Sequence, residues 1–420
     1  MVKVGILGVG TVGASVANIL ESNADIIEAR AGKKIVVKSG VVKNLSKDRG
    51  VNIPLSTNPL DIVYDPNIDI VVELMGGVKE PFELVKRALE NGKPVVTANK
   101  ALLAYHRYEL QEIAGDIPLM YEASTAGGIP IIGALRNGLT ANHIESIQGI
   151  MNGTTNYMLT KMINEGAKYD EVLKEAQELG YAEADPTFDV GGFDASHKLL
   201  ILASIAYGID AKPEDILIEG IENITQTDVA FAKEFGYEIK LLGIAKKVEN
   251  GVELRVHSTM IPQSSMIAKV DGVMNGVSVI GDKVGETMYY GAGAGGDATA
   301  SAVIADIIDI VRGNNLPMLG YKRGLEDGLK LLSPDEITTN YYLRMGVDDR
   351  SGVLASITRE LERFDISIES MLQKPHNNDN RVKLLFTTHK CKEAKIKEAI
   401  SALENLDCVH GKIAMIRIEK

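Results

Sequence analysis

No tryptophan occurs in the 420 residues, and the two cysteines, Cys391 and Cys408, both fall late in the chain. Cysteines so few and so placed make neither a disulfide framework nor a zinc cluster, and they fit a reducing, cytoplasmic setting. The seven histidines show no metal-like pairing. Basic clusters are lacking too: 45 Lys and Arg stand against 57 Asp and Glu, a formal charge of −12. Tracking nucleic-acid phosphates needs the opposite balance, so no nucleic-acid partner is expected. The longest apolar run, near "LLILASIAYGI", is too short to span a bilayer. The start "MVKVGILGVG" reads as a strand at once, without the charged and apolar regions of a signal peptide. No membrane association is expected.

What is present suits two or three globular domains rather than one core. Residues 1–120 alternate short apolar strands ("KVGIL", "DIVVELMGG", "KPVVTANK") with amphipathic helices ("TVGASVANILESN", "PFELVKRALENG"). Pro81 opens the second helix and Asn91-Gly92 stops it. The alternation predicts an α/β fold, a Rossmann-type doubly wound parallel sheet, completed by a helix at about 297–312. Residues 121–319 mix helical stretches ("KYDEVLKEAQELG", "ASHKLLILASIAYG") with strand-like runs ("YEIKLLGIAKKV", "GVELRVHSTM"), an α+β substrate and oligomerisation domain. A charged, turn-rich linker is expected at 320–338. Residues 339–420 read strand, helix, two strands around the polar turn "PHNNDN", helix and strand. That order predicts a ferredoxin-like βαββαβ unit of its own.

"GVGTVG" sets Gly8, Gly10 and Gly13 in G-x-G-x-x-G spacing, with Thr11 and Val12 between, where a strand meets a helix. The first glycine makes the tight turn, the second admits a pyrophosphate, and the third lets helix pack on sheet. Free N–H groups at the helix start would hold the phosphate. No acid sits at an obvious end of the second strand, while Lys43 and Lys47 follow it. Basic groups there suit the 2′-phosphate of NADP, and a solvated lysine loop fits nearly as well. "TANK" ends a strand at Lys100, on the edge that faces the ligand crevice in such sheets.

The stretch "GYAEADPTFDVGGFDASHKLLIL" crowds Glu183, Asp185, Asp189 and Asp194 ahead of Lys198 and an apolar run. As a helix, "FDASHKLLILASIAYG" turns Leu199, Leu202, Ile205 and Ala206 inward and stacks Asp194 on Lys198 at i, i+4. One reading is a helical ion pair. In the other, burial lowers the lysine's pKa until it can give and take a proton, Asp194 orients it, and Glu183 and Asp189 hold a cationic group such as a substrate ammonium. Both cysteines lie in the terminal unit and no Cys/His ligand set exists, which removes thiol and zinc routes for a dehydrogenase. Hydride transfer with a lysine acid/base is the simplest remaining chemistry.

Taken together, "GVGTVG", "TANKALLA", "YEASTAGGIPII", "GIMNGTTNYML", "GYAEADPTFDVGGFDASHKL" and "GAGAGGDATASAV" resemble the homoserine dehydrogenase family, over roughly residues 1–320. The tail, with "VDDRSGVLASITRELERFDISIESMLQK", resembles an ACT domain, an amino-acid-sensing module. The resemblance implies reversible NAD(P)H-dependent reduction of L-aspartate 4-semialdehyde to L-homoserine, toward threonine and methionine, by a homo-oligomer (dimer or tetramer). It implies that Lys198 is the proton donor. It also implies that Asp194 and Glu183 bind homoserine with Asp189 in support, and that Lys100 contacts cofactor and substrate. Gly180 and Gly293 match positions at the nicotinamide end. Glu122, Thr125, Gly127 and Ile129 match a sodium or other monovalent-cation site built mainly of backbone carbonyls. Asn152, Thr154 and Thr155 open a helix beside the active site, in a supporting role. Asp349 and Gly352 match the turn where ACT domains take an effector, here threonine. Val42-Lys43-Asn44 stands where the family usually has Val-Arg-Asp. A lysine lacks arginine's fork for a phosphate, so NAD and NADP both stay open. The alternatives are another oxidoreductase acting on a small amino-acid carbonyl, or an amino-acid sensor without catalysis.

Overall fold

The computed structural model describes residues 1–314, 316–324, 328–374 and 381–420. The polar turn expected at 375–380 and part of the expected linker, 325–327, lie outside these residues.

The N-terminal strands are β1 (Val2–Leu7), β2 (Ile35–Val41), β3 (Leu55–Ser56), β4 (Ile70–Glu73), β5 (Val95–Thr97) and β6 (Leu119–Met120). They pair in parallel in the order β3-β2-β1-β4-β5-β6. Successive strand residues face opposite sides. Val4, Ile6, Ile70 and Val72 therefore join Val16 and Leu20 of the Thr11–Ser22 helix and Val303 and Ile307 of the Gly296–Arg312 helix. Leu7 and Val71 join Leu84 and Val85 of the Lys79–Glu90 helix and Leu103 of the Lys100–Ala114 helix on the other side. Strand order reverses between β1 and β4, which opens a crevice at the carboxyl ends of those strands.

The second sheet holds β7 (Ile144–Ile150), β8 (Leu217–Ile218), β9 (Tyr237–Val248), β10 (Gly251–Pro262), β11 (Met274–Gly281), β12 (Gly285–Ala292), β13 (Thr338–Asp348), β14 (Ile368–Lys374), β15 (Arg381–Thr388), β16 (Cys391–Lys392) and β17 (Val409–Ile418). Its main path runs β12-β11-β7-β9-β10-β17-β13-β15-β14, with β8 on β10 and β16 on β13. Within it, β17-β13-β15-β14 has the ferredoxin-like arrangement, closed by helices Val353–Arg363 and Glu393–Glu404.

The C-terminal unit shares its sheet with the unit before it. β17 pairs with β10 through Thr259↔Arg417 and Met260↔Ile418, so one sheet runs through both units. Two parallel pairs between distant strands leave no local periodicity to read. Charge locks the junction: Arg417, 1% exposed in its side chain, bonds Glu219 at 2.7 and 2.8 Å and Glu393 at 2.5 and 2.9 Å. The expected linker is likewise tied down where Leu331 bridges Val252.

The Phe193–Tyr207 helix differs from its expected single inward face. Leu200 and Ile201 are as buried as Leu199 and Leu202, while Ala206 is only half-buried. It lies between the Lys100–Ala114 helix and strands β9 and β10, so apolar neighbours surround it.

Candidate active site

The glycine loop follows β1. Gly8 sits at φ +98°, and a Cβ there would stand 2.7 Å from the Leu74 carbonyl oxygen. A Cβ at Gly13 would collide with the Gly8 carbonyl, whereas nothing lies within 4 Å of one at Gly10. Two glycines are thus demanded by the protein's own packing, and the space over Gly10 is open. Gly10 caps the Thr11–Ser22 helix without a side-chain bond. Thr11 is exposed and Val12 half-buried beside the opening. The donor-rich helix start and the open glycine fit a dinucleotide pyrophosphate. Lys43, two residues beyond β2, is exposed.

The crevice floor holds a residue that the sequence reading passed over. Glu73 ends β4 fully buried and accepts Thr97 Oγ1 at 2.6 Å and the Met75 N–H at 2.8 Å. Burial raises its pKa above the usual carboxylate range. The Thr97 hydroxyl in turn accepts the Asn99 N–H at 3.0 Å, and Asn99 caps the Lys100–Ala114 helix by accepting the Leu102 N–H at 3.1 Å. This chain fixes where Lys100 starts. An acid closing the apolar run "IVV" is the available signal.

Lys100 reaches across to Asp194 and forms an ion pair with Oδ1, and its ammonium lies 5.7 Å from the Phe188 ring centroid. Asp194 Oδ2 accepts Lys198 Nζ at 2.7 Å, the i, i+4 pair drawn from the sequence. Lys198 also donates to the Met151 carbonyl at 2.6 Å. Lys198 is 8% exposed and Asp194 2%. Burial lowers the pKa of Lys198, and Lys100 adds to that, against the pull of Asp194. Burial pushes the Asp194 carboxyl up, but Lys198 and Lys100 outweigh it and hold it below the usual carboxylate range. Asn152 donates to Asp189 at 2.7 Å and to Asp194 at 2.9 Å. Burial and the neighbouring Asp194 charge raise the Asp189 pKa, and the Asn152 bond opposes them. Thr154 donates to the Tyr181 carbonyl at 2.7 Å, which ties the acidic loop to the Gly153–Glu165 helix that Asn152 caps.

Not every candidate joins this set. The Glu183 side chain is exposed, and among the described residues only its carbonyl is engaged, by Gln177 at 3.1 Å. Gly180 follows the Tyr169–Glu178 helix at φ +76°, exposed. Gly293 lies nearer the crevice: a Cβ there would collide with the Asn275 amide, and one at Gly127 would stand 2.6 Å from the Gly293 carbonyl. The Gly296 end of this loop abuts Ser15 and Thr11. Asn275 is buried, with neither amide atom bonded among the described residues.

Glu122 is buried and accepts the backbone N–H groups of Ile132 at 2.8 Å and Gly133 at 2.6 Å. Burial pushes its pKa up to about 7. Asp306, which accepts the Glu122 N–H at 2.8 Å, is raised well above its ordinary value by the same burial. Thr125 Oγ1 is buried without a hydrogen-bond partner among the described residues. Ala126 and Gly127 are consecutively left-handed at φ 56° and 57°, and Ile129 is buried. No group of three or more acids, histidines or cysteines suited to a metal occurs among the described residues. In the C-terminal unit, Asp349 and Gly352 are exposed, with Gly352 at φ +90° before the Val353–Arg363 helix. Its neighbour Asp348, not Asp349, is pinned, to His410 at 2.6 Å.

Comparison with known proteins covers almost the whole chain. Residues 8–116 match the NAD-binding domain of homoserine dehydrogenase, 130–308 the homoserine dehydrogenase family and 341–408 the ACT domain. A homoserine dehydrogenase of Helicobacter pylori is 53% identical over 417 residues, 99% of each chain. The crystal structure of a homoserine dehydrogenase from Thiobacillus denitrificans superposes with a TM-score of 0.95 at 49% identity, covering 100% of this chain and 98% of that one. A hyperthermophilic archaeal homoserine dehydrogenase in complex with NADPH aligns with 73% of this chain and 97% of its own, at 28% identity and a TM-score of 0.62.

Proposed function

The chain belongs to the homoserine dehydrogenase family and is an NAD(P)-dependent oxidoreductase of that specificity, and from this premise we propose that Lys198 is its proton donor and acceptor. The observation that carries the reading is the buried Lys198–Asp194–Lys100 set at the crevice. Gly10 and the start of the Thr11–Ser22 helix would hold NAD(P)H, which when bound would supply the hydride that reduces L-aspartate 4-semialdehyde. Lys198 Nζ then delivers a proton to the aldehyde oxygen as charge develops there. The Met151 carbonyl and Asp194 hold Nζ from behind, and burial makes its proton easier to lose. Lys100, tethered through Asp194, serves as the second cation that steadies the developing oxyanion. The half-buried Asp189 receives the substrate ammonium, with Glu183 at the loop rim.

We extend the proposal to four finer points. Exposed Lys43 receives a 2′-phosphate, with NADPH and NADH both used. A sodium ion binds at the 122–129 segment, where two buried acids with raised pKa values and an unbonded Thr125 hydroxyl favour a cation. Threonine binds at the turn of Asp349 and Gly352 and reports through the Arg417–Glu219 junction. The enzyme is a cytoplasmic homo-oligomer in threonine and methionine synthesis. Two buried free thiols agree with a reducing compartment, and the uncovered edge strand β12 with subunit contact. Among the described residues no helix is long and apolar enough to cross a membrane.

The test is turnover of L-aspartate 4-semialdehyde with NADH and with NADPH, with and without threonine, alongside Lys198→Ala. Loss of turnover in Lys198→Ala by about 10²–10⁴-fold with NADPH binding retained is expected. Turnover near the parent value would refute the assignment.

A further inference from the structure

The Asn152 side chain touches both carboxylates of the site. Its Nδ2 donates to Asp189 at 2.7 Å and to Asp194 Oδ2 at 2.9 Å, while its Oδ1 accepts the Thr155 N–H at 2.8 Å. The start of the Gly153–Glu165 helix therefore holds the amide from behind and aims it at two acids that repel one another. Their situations differ. Asp194 is nearly fully buried and has two ammonium partners, Lys198 and Lys100. Asp189 is half-buried, and among the described residues it has no ion pair; the one side-chain donor to it is Asn152. A carboxylate shielded from water without a cation of its own is a receptor for one. Homoserine and its aldehyde both carry an ammonium group.

We propose that Asn152 is the positioning residue of this site: its amide clamps Asp189 and Asp194 at a fixed separation, so that Asp189 meets the substrate ammonium while Asp194 keeps both lysines. The inference rests on the roles given above to Lys198, Asp194 and Asp189. A single neutral donor suits this place for a physical reason. It relieves the repulsion between two carboxylates without supplying a cation that would compete with the substrate for Asp189. The groups that face Asp189 are Asp194 and Lys198 on the Phe193–Tyr207 helix and Lys100 on the Lys100–Ala114 helix. Asp194 makes Asp189 harder to ionise and the lysines make it easier, as does the Asn152 bond. Removing that bond leaves Asp189 protonated to higher pH.

Asn152→Ser and Asn152→Asp test this. Serine and aspartate both keep the helix cap. Serine is too short to reach both acids, and aspartate keeps the shape but turns the donor into an acceptor. The expected result for Asn152→Ser is a loss of kcat/KM for homoserine of roughly 10- to 150-fold, the range for a hydrogen bond to a charged group. Its acid limb moves to higher pH, and the NADPH Kd and Tm stay near the parent values. Asn152→Asp falls further. A loss that is uniform at every pH, with the acid limb unmoved, would make the amide merely structural and overturn the proposal. Parent-like kcat/KM in either variant would overturn it as well. Should Asn152→Ser fail to fold, the isosteric Asn152→Asp carries the test through kcat/KM and NADPH affinity. Lys198→Ala separates the two levels: turnover retained there overturns the reading of the site. Turnover lost there, with the Asn152 variants at parent values, overturns this inference alone.

Discussion

Asp194→Asn is the most informative single change, because it removes one charge from between two. Asp194 is 2% exposed, with Lys198 at 2.7 Å on one oxygen and Lys100 on the other. The amide fits the same space and still accepts one hydrogen bond, so shape is nearly conserved. Breaking a buried pair while leaving the cation in place costs about 3–5 kcal/mol. Here that cost falls on the protonated form of Lys198, which burial and Lys100 already disfavour and which Asp194, ahead of Asp189, supports. If the loss is felt fully in the transition state, kcat for aldehyde reduction drops by about 10²- to 5 × 10³-fold. The pH dependence has a definite sign. With Lys198 as the proposed donor, reduction needs its ammonium form, so the alkaline limb moves to lower pH in Asp194→Asn. Homoserine oxidation needs the free amine and suffers less. Steady-state rates in both directions between about pH 6 and 9, with NADPH affinity from its fluorescence, read this out. A variant that keeps more than about a tenth of kcat, or whose alkaline limb does not move, would refute the reasoning.

Three further outcomes follow from the same structure. Gly13→Ala, whose Cβ would collide with the Gly8 carbonyl, destabilises by about 1–3 kcal/mol; Gly10→Ala leaves Tm nearly unchanged but raises the cofactor Kd about tenfold, and equal Tm losses in the two would contradict the division of roles. Glu122 holds its proton more tightly when folded, with a pKa of about 7 against 4.5. The stability it contributes is present below pH 4.5 and lost as pH rises through about 7, roughly 3 kcal/mol in all. Glu122→Gln flattens that slope, and sodium chloride, but not choline chloride, raises the parent Tm above pH 7; an unchanged slope in the variant would rule the carboxyl out. Arg417→Met strips the fully buried Glu393 of both its Arg417 bonds and leaves it Lys397 at 3.5 Å, which costs about 3–5 kcal/mol. Arg417→Met with Glu393→Leu regains part of it, and unfolding curves that match the parent in the single variant would contradict a load at this junction.

Residues near one another in sequence were legible early. The spacing of Gly8, Gly10 and Gly13 is a local demand, since a turn and a close helix–strand approach are made within six residues. Asp194 and Lys198 lie one helical turn apart, and the helix period alone stacks them. The alternation of apolar strands and helices before residue 120 carried the parallel sheet for the same reason. Lys100 was legible only as a strand-end lysine; that it meets Asp194 depends on how two domains are docked. Glu183 shows the converse. It shares the acidic stretch with Asp189 and Asp194 but projects from the loop to solvent, and composition could not sort these acids. Glu73 acts through Thr97 and through burial, and Asn152, legible only as a helix-start residue, through Asp189 and Asp194; no period encodes those contacts.

By itself, then, the sequence determined the dinucleotide loop, the paired acid and lysine on one helix, the βαββαβ order of the tail and, through its motifs, the family. These follow from local geometry, whose periods are fixed by the backbone. Tertiary structure decided which groups share a low-dielectric space: Lys100 with Asp194, Asn152 with both carboxylates, Glu122 with Asp306. It also decided that the C-terminal unit continues the catalytic sheet through β10 and β17. Those contacts set the charge states on which the chemistry depends, because burial and distance, not sequence separation, govern electrostatic energy.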